Sequence, residues 1–261
     1  MYYQEESTMR EFFHYFFGAG DEIEFKYFSL AHILPILLAI VIIYLIYRYR
    51  EKLKTSKWDE KIRLVLSFAL IITEMSYFWR LVGVPDLQPH PTDHLPITVC
   101  GWAVIFSAYF LLTKNQTLFD ITYFWLFSGT LFALATPTVI AYCGPTRFRY
   151  YQFWCEHLLG YIALFYMIFV HGMKINFKSI FKSLGTLAVL CVIAYIANTT
   201  LGDDANYLFM AMPEDTASIL DVLPKNFALR VCIMGLVIIV FFVAAYIPWY
   251  IIERKNKKKE A

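Results

Sequence analysis

The chain has 261 residues, 59% of them apolar and 17% charged, with a net charge of +2. Soluble domains run about 45–50% apolar and about 25% charged, so a water-soluble enzyme, a disordered chain and a disulfide-stapled secreted domain are excluded. A nearly neutral balance gives no electrostatic reason to bind nucleic acid.

Residues 1–28 are acidic and aromatic, without the basic start of a cleavable signal peptide, and read as an extracytoplasmic segment. Seven apolar stretches follow: Ser29–Tyr47, Leu64–Val84, Leu95–Thr113, Thr117–Ala141, Tyr150–Met173, Leu184–Thr200 and Phe227–Ile252. Most are about 20 residues, which a helix needs to cross about 30 Å of hydrocarbon. Backbone groups in lipid must bond within their own segment, and the alternation of barrel strands is missing. The expectation is therefore an all-α polytopic membrane protein with seven transmembrane helices in one domain, 29–252, closed by a basic tail, 253–261.

Charge sets the expected orientation. The first loop carries Arg48, Arg50, Lys52, Lys54, Lys57, Lys61 and Arg63, and Lys114, Lys174, Lys178 and Lys182 lie on the same side. The tail adds Arg254, Lys255, Lys257, Lys258 and Lys259. The other side holds only Arg10, Lys26, Arg147, Arg149 and Lys225, together with the acidic residues Asp86, Asp93, Asp203, Asp204, Glu214, Asp215 and Asp221. Positive residues stay in the cytoplasm, so the N-terminus is expected outside and the C-terminus inside.

The five cysteines (Cys100, Cys143, Cys155, Cys191, Cys232) show no CxxC or Cys/His spacing of a zinc site. No nucleotide-binding glycine loop is present, and the seventh stretch has no lysine for a retinal Schiff base. No metal or cofactor is implied. The expected partners are membrane lipids.

Ionisable groups within a span are expensive and mark function by default. Glu74, Tyr77 and Arg80 step by three along one helix face, and a pairing within that row competes with a binding role. Counting from the predicted outer ends, Cys100 lies roughly 7–8 Å deep and His157 roughly 10 Å, with His32 and Arg80 close to the outer ends of their own helices. This is the depth of phospholipid ester carbonyls. A Cys or Thr beside a His base is the smallest acyl-transfer apparatus. A hydrogen-bonded structural histidine competes with that reading. Arg147 and Arg149 at the mouth suit a lipid phosphate or plain interfacial anchoring. His14, His90 and His94 read as outer, solvated groups, and His171 as a cation at a helix C-terminus.

The ordered pieces FSLAHILP (28–35), LPITVC (95–100), LLTKNQTLFDITYFW (111–125), ATPTV (135–139), RFRYYQFWCEH (147–157) and DANYLFM (204–210) resemble the YwaF-like family of bacterial integral membrane proteins. That family is similar to a eukaryotic transmembrane phospholipid acyltransferase and to androgen-induced-gene-type membrane hydrolases. The resemblance implies a bacterial plasma-membrane protein, His157 as base and a nucleophile within Leu95–Cys100. The chain departs from the family's usual LPLHLC by having Thr98 where a His stands, which leaves Cys100 and Thr98 both open as nucleophile. The leading expectation is lipid acyl transfer or ester hydrolysis near the outer leaflet, with Arg80 or Asn206 steadying the oxyanion. The alternative is a non-catalytic transporter or solute-binding protein whose path is lined by Glu74, Arg80 and His157.

Overall fold

A computed structural model describes residues 2–21, 24–89, 94–202, 205–210, 212 and 219–260. Of the residues singled out by sequence, His90, Asp93, Asp203, Asp204, Glu214 and Asp215 lie outside this set. The helices are α1 (Tyr2–Phe17), α2 (Leu30–Lys54), α3 (Asp59–Gly83), α4 (Val99–Thr113), α5 (Gln116–Trp125), α6 (Leu131–Ala135), α7 (Phe148–Phe169), α8 (Phe177–Thr200) and α9 (Phe227–Glu260). A π-helical turn, Leu126–Thr130, joins α5 to α6 into one rod. No strand occurs among the described residues.

Each predicted apolar stretch falls on a helix, but the edges move. The third stretch becomes helical only at Val99, because Thr98 is the N-cap and its hydroxyl oxygen accepts the Gly101 N–H at 3.1 Å. The fourth ends at Ala135 instead of Ala141, and the tail expected as a separate piece continues α9 to Glu260. Residues 1–28 also hold a helix, α1, that hydropathy did not single out.

Five rods are long and apolar enough to cross a membrane: α2, α3, α5–α6, α8 and α9. Of the remaining two, α4 is apolar but only 15 residues long, and α7 has 22 residues but carries Arg149, Gln152, Glu156 and His157. Both lie inside the bundle. The helix α4 packs on α3, α5 and α7, while α7 also packs on α2 and α3. The apolar windows of α2 and α9 are only 11% buried against 61% for the α5–α6 rod, so α2 and α9 form the outer wall and α5 lies within.

Polar side chains tie the ends. Asp59 at the start of α3 pairs with Arg63 at 3.1 Å and accepts Tyr166 Oη–H at 2.7 Å, with His171 Nε2 at 2.9 Å. Arg63 donates at 2.6 Å to the Leu111 carbonyl, one of the last acceptors of α4 that has no partner within its own helix. At the same end Asp120 of α5 is fully buried, bound by Gln116 at 2.7 Å and Lys182 of α8 at 2.6 Å. At the other end Pro35 inside α2 cannot donate to the Ala31 carbonyl. Tyr150 Oη–H of α7 donates to that carbonyl at 2.6 Å instead.

Candidate functional site

The site forms where the first turn of α4 meets the π turn and α7, toward the end of the bundle at which α1 lies. Cys100 is the second residue of α4 and is half-buried. The first backbone N–H groups of a helix lack partners within it and carry partial positive charge, so the thiol stands beside a small anion-seeking pole. The fully helical reading of Thr117–Ala141 missed the residue that meets it: Thr130, buried in the π turn, donates its hydroxyl to Cys100 Sγ at 3.6 Å. π turns are frequent at functional sites because they break the regular side-chain register. Here the turn also leaves the Leu126 carbonyl able to accept Tyr161 Oη–H at 2.5 Å.

His157 is buried one helical turn from Tyr161, just as Thr130 lies about one turn from Leu126 on the antiparallel rod. The Tyr161–Leu126 bond thus ties α7 to the π turn one helical turn from each of these residues. The Phe153 carbonyl lies 2.8 Å from His157 Nδ1. A carbonyl only accepts, so Nδ1 carries the proton and Nε2 of the neutral ring keeps its lone pair. His32 is held differently. Its Nδ1 accepts the Phe28 N–H at 3.0 Å, and its Nε2–H donates to the Leu134 carbonyl at 2.8 Å. Both ring nitrogens are spent on backbone, and His32 serves as a strut between α2 and α6.

The expected Glu74–Tyr77–Arg80 row does not pair with itself. Arg80 donates through Nε to the Phe17 carbonyl at 2.7 Å and through Nη2 to the Gly18 carbonyl at 2.5 Å. Tyr77 bonds His94 at 2.8 Å and lies under the Arg149 guanidinium, 4.7 Å from its ring centre. Glu74 is buried against α4: a Cβ placed on Gly101 would lie 2.7 Å from its Oε1. Its charge is set against the Glu156 carboxylate and the Arg149 guanidinium. Arg149 is 3.7 Å from Glu156 and also bonds Gln152, whose amide donates to Glu156 at 2.8 Å and to the Thr73 carbonyl at 3.2 Å. Arg149 thus pairs with Glu156, while Glu74 lies buried beside the first turn of α4.

The remaining expected residues are held by partners of their own. Arg147 forms a salt bridge to Asp21 at 2.7 Å, bonds the Tyr15 carbonyl and stacks 3.6 Å over the Tyr15 ring, so it holds α1. Burial alone would push the Asp21 carboxyl up, but the bonds from Arg147, Tyr15 and Thr146 outweigh it and hold the group below its ordinary value. Asn206 closes a loop on itself, bonding Met212 N–H at 3.1 Å and the Met212 carbonyl at 3.0 Å. The hydroxyl oxygen of Thr98 is engaged as the α4 cap.

With this geometry in view, comparison with known proteins gives one match: the TMEM164 family model, over residues 27–252. The chain belongs to the TMEM164 family, a transmembrane protein family. What the match supports is the coarser part of the expectation, a multi-pass transmembrane protein. No curated protein and no solved structure matches.

Proposed function

We propose that this TMEM164-family chain crosses the plasma membrane seven times, with α1 outside and the tail in the cytoplasm, and transfers or hydrolyses lipid acyl groups. Cys100 is the nucleophile and His157 its base. The observations that support this reading are a hydroxyl on Cys100 Sγ and, on α7, a buried histidine whose Nδ1 proton is fixed on Phe153 so that the neutral ring's Nε2 is basic.

In the attack, Nε2 of His157 takes the thiol proton while Sγ bonds the ester carbonyl carbon. The carbonyl oxygen becomes an oxyanion, and the Val99 and Cys100 N–H groups, the two of the first turn of α4 that Thr98 does not bind, are the backbone donors offered to it. Collapse breaks the ester C–O bond, and His157 returns the proton to the departing alkoxide. The thioester on Cys100 then passes to water or to a second alcohol, with His157 again accepting and returning one proton. Arg80 and Asn206, the oxyanion partners expected from sequence, bond Phe17, Gly18 and Met212 away from Cys100, and backbone donors take their place in this reading. Thr98 is committed as a cap, which favours Cys100 as nucleophile.

The test uses the full chain in liposomes containing phospholipid with a labelled acyl chain. Cys100→Ser and His157→Ala should each lower release or exchange of the label by at least about 100-fold, in line with the usual worth of a general base. Thr98→Ala should retain turnover. Full turnover by Cys100→Ser would overturn the mechanism. Solute uptake without covalent change would favour the transporter reading, for which the Glu74, Arg149 and Glu156 charges are the supporting feature.

A further inference from the structure

A cavity of about 390 Å³ opens between α1, α3 and the start of α7. This falls within the roughly 300–1,000 Å³ of small-molecule sites. Phe13 and Phe17 of α1, Trp79 of α3 and Phe148 of α7 form its apolar walls, and Arg80 stands at its lip. Two of the three guanidinium nitrogens hold α1, as described, and Nη1 of Arg80 has no hydrogen bond among the described residues.

We infer that this cavity binds one acyl chain of a phospholipid from the adjoining leaflet, with the lipid phosphate at Arg80. Three observations point to this occupant. The outer wall is continuous with lipid-facing surface: Trp79 is 61% and Val82 86% exposed on a helix of membrane-crossing length. The helix α1 exposes Met9 (57%) and Phe12 (56%) next to Phe13, and its His14 joins Phe13 and Phe17 in the cavity lining; a helix with such an apolar face suits the plane of the interface. The lip offers one free donor of a guanidinium, which complements a phosphate monoester or diester. An apolar trough with a cationic rim matches an amphiphile with an anionic head, and neither a soluble anion nor a plain alkane has both parts. Binding here does not depend on chemistry at Cys100.

The experiment embeds the full chain in phosphatidylcholine vesicles containing a trace of phosphatidylcholine with a diazirine near the end of one acyl chain. Irradiation and peptide mapping should find the label concentrated on Phe13, Phe17, Trp79 and Phe148. Gly83 borders the cavity, and a Cβ there meets nothing within 4 Å. Gly83→Phe should therefore fill the space without disturbing α3 and lower labelling at least five-fold. Ser76→Phe, from the cavity floor, is a second filling variant, and Cys100→Ser should label like the parent. Even labelling of lipid-facing α2 and α9 with no excess at the cavity overturns the inference. So does unchanged labelling in both filling variants once circular dichroism shows them folded, or labelling by a diazirine fatty acid but not by the phospholipid.

Discussion

Gly101 is the position where α4 has no room for a side chain. A Cβ there would lie 2.7 Å from Glu74 Oε1 and 2.8 Å from Thr98 Oγ1, and both groups are held, one by burial and one by capping. Gly101→Ala is expected to destabilise by about 1–3 kcal/mol, the usual range for overpacking, read as a lower Tm in detergent. Adding Glu74→Ala should restore part of the loss by removing the carboxylate, and an unchanged Tm in Gly101→Ala would show that the carboxylate yields freely. Arg230 is the opposite case. It is fully buried in α9 with Nε donating to the Phe209 carbonyl at 2.8 Å, while Nη1 and Nη2 have no partner among the described residues. Its neighbours Leu208 and Phe209 are held at φ 58° and 54°, the left-handed region that side chains other than glycine adopt at a cost. A buried ion with unmet donors is often matched or bettered by an apolar residue of similar volume, so Arg230→Met is expected to be at least as stable as the parent. A loss above about 2 kcal/mol would mean that the two nitrogens have an anionic partner. At this scale the sequence names the residues but not their duties. Cys100, His157 and His32 are legible as intramembrane polar groups, yet only hydrogen-bond partners separate a histidine with a free basic nitrogen from one used as a strut. Thr130 was illegible because nothing in LFSGT marks a π turn.

At the scale of elements, hydropathy located the rods because lipid-facing surface demands continuous apolar sequence, and α2 and α9 satisfy it up to their charged C-terminal stretches. It placed an edge poorly where a side chain rather than composition starts the helix, as Thr98 does for α4. It passed over α1 because an interfacial helix needs only one apolar face. That helix is clamped by arginines from two others: Arg80 on the Phe17 and Gly18 carbonyls, and Arg147 on Asp21 and the Tyr15 carbonyl. The Asp21 carboxyl is held below its ordinary value by Arg147, Tyr15 and Thr146. A lowered folded value means that its stabilisation is complete above the unfolded value, about 3.9, and is lost as pH falls through the folded value. The protection of α1 amides, relative to the unfolded rate at each pH, is therefore expected to hold from neutral pH down to that threshold and to fall in more acid solution. Asp21→Asn should show less protection at neutral pH and lose the acid step. Protection of α1 in the parent that is constant at all pH values would show that Arg147 contributes no clamp.

At the scale of the whole molecule, composition alone credits five rods with crossing a membrane, and the two it omits are the two that hold the site. The helix α4 spans only about 22 Å at 1.5 Å per residue. The chain before it is extended at Thr98 (φ −130°, ψ 142°) and turns at Pro96, where the Ile97 N–H bonds the Leu95 carbonyl at 2.7 Å, so α4 needs this non-helical lead to complete a crossing. Non-helical backbone at membrane depth is tolerated where protein surrounds it, and Leu95 N–H finds Tyr207 Oη at 3.1 Å. The polar groups of α7 are tolerated for the same reason, since α2, α3 and α4 cover it. Seven crossings put Lys57 and Lys258 on one side and Gln88 on the other, and the positive-inside rule puts the lysines in the cytoplasm. Reporter fusions after Lys57 and Lys258 are therefore expected to be active as cytoplasmic reporters, and a fusion after Gln88 only as an extracytoplasmic one. Five crossings, with α4 and α7 both failing to span, predict the same signs for all three, so a fourth fusion after Asn115, between α4 and α5, decides. Cytoplasmic Asn115 fits α4 as a true crossing, and extracytoplasmic Asn115 would leave Cys100 outside any span and remove the intramembrane site with it.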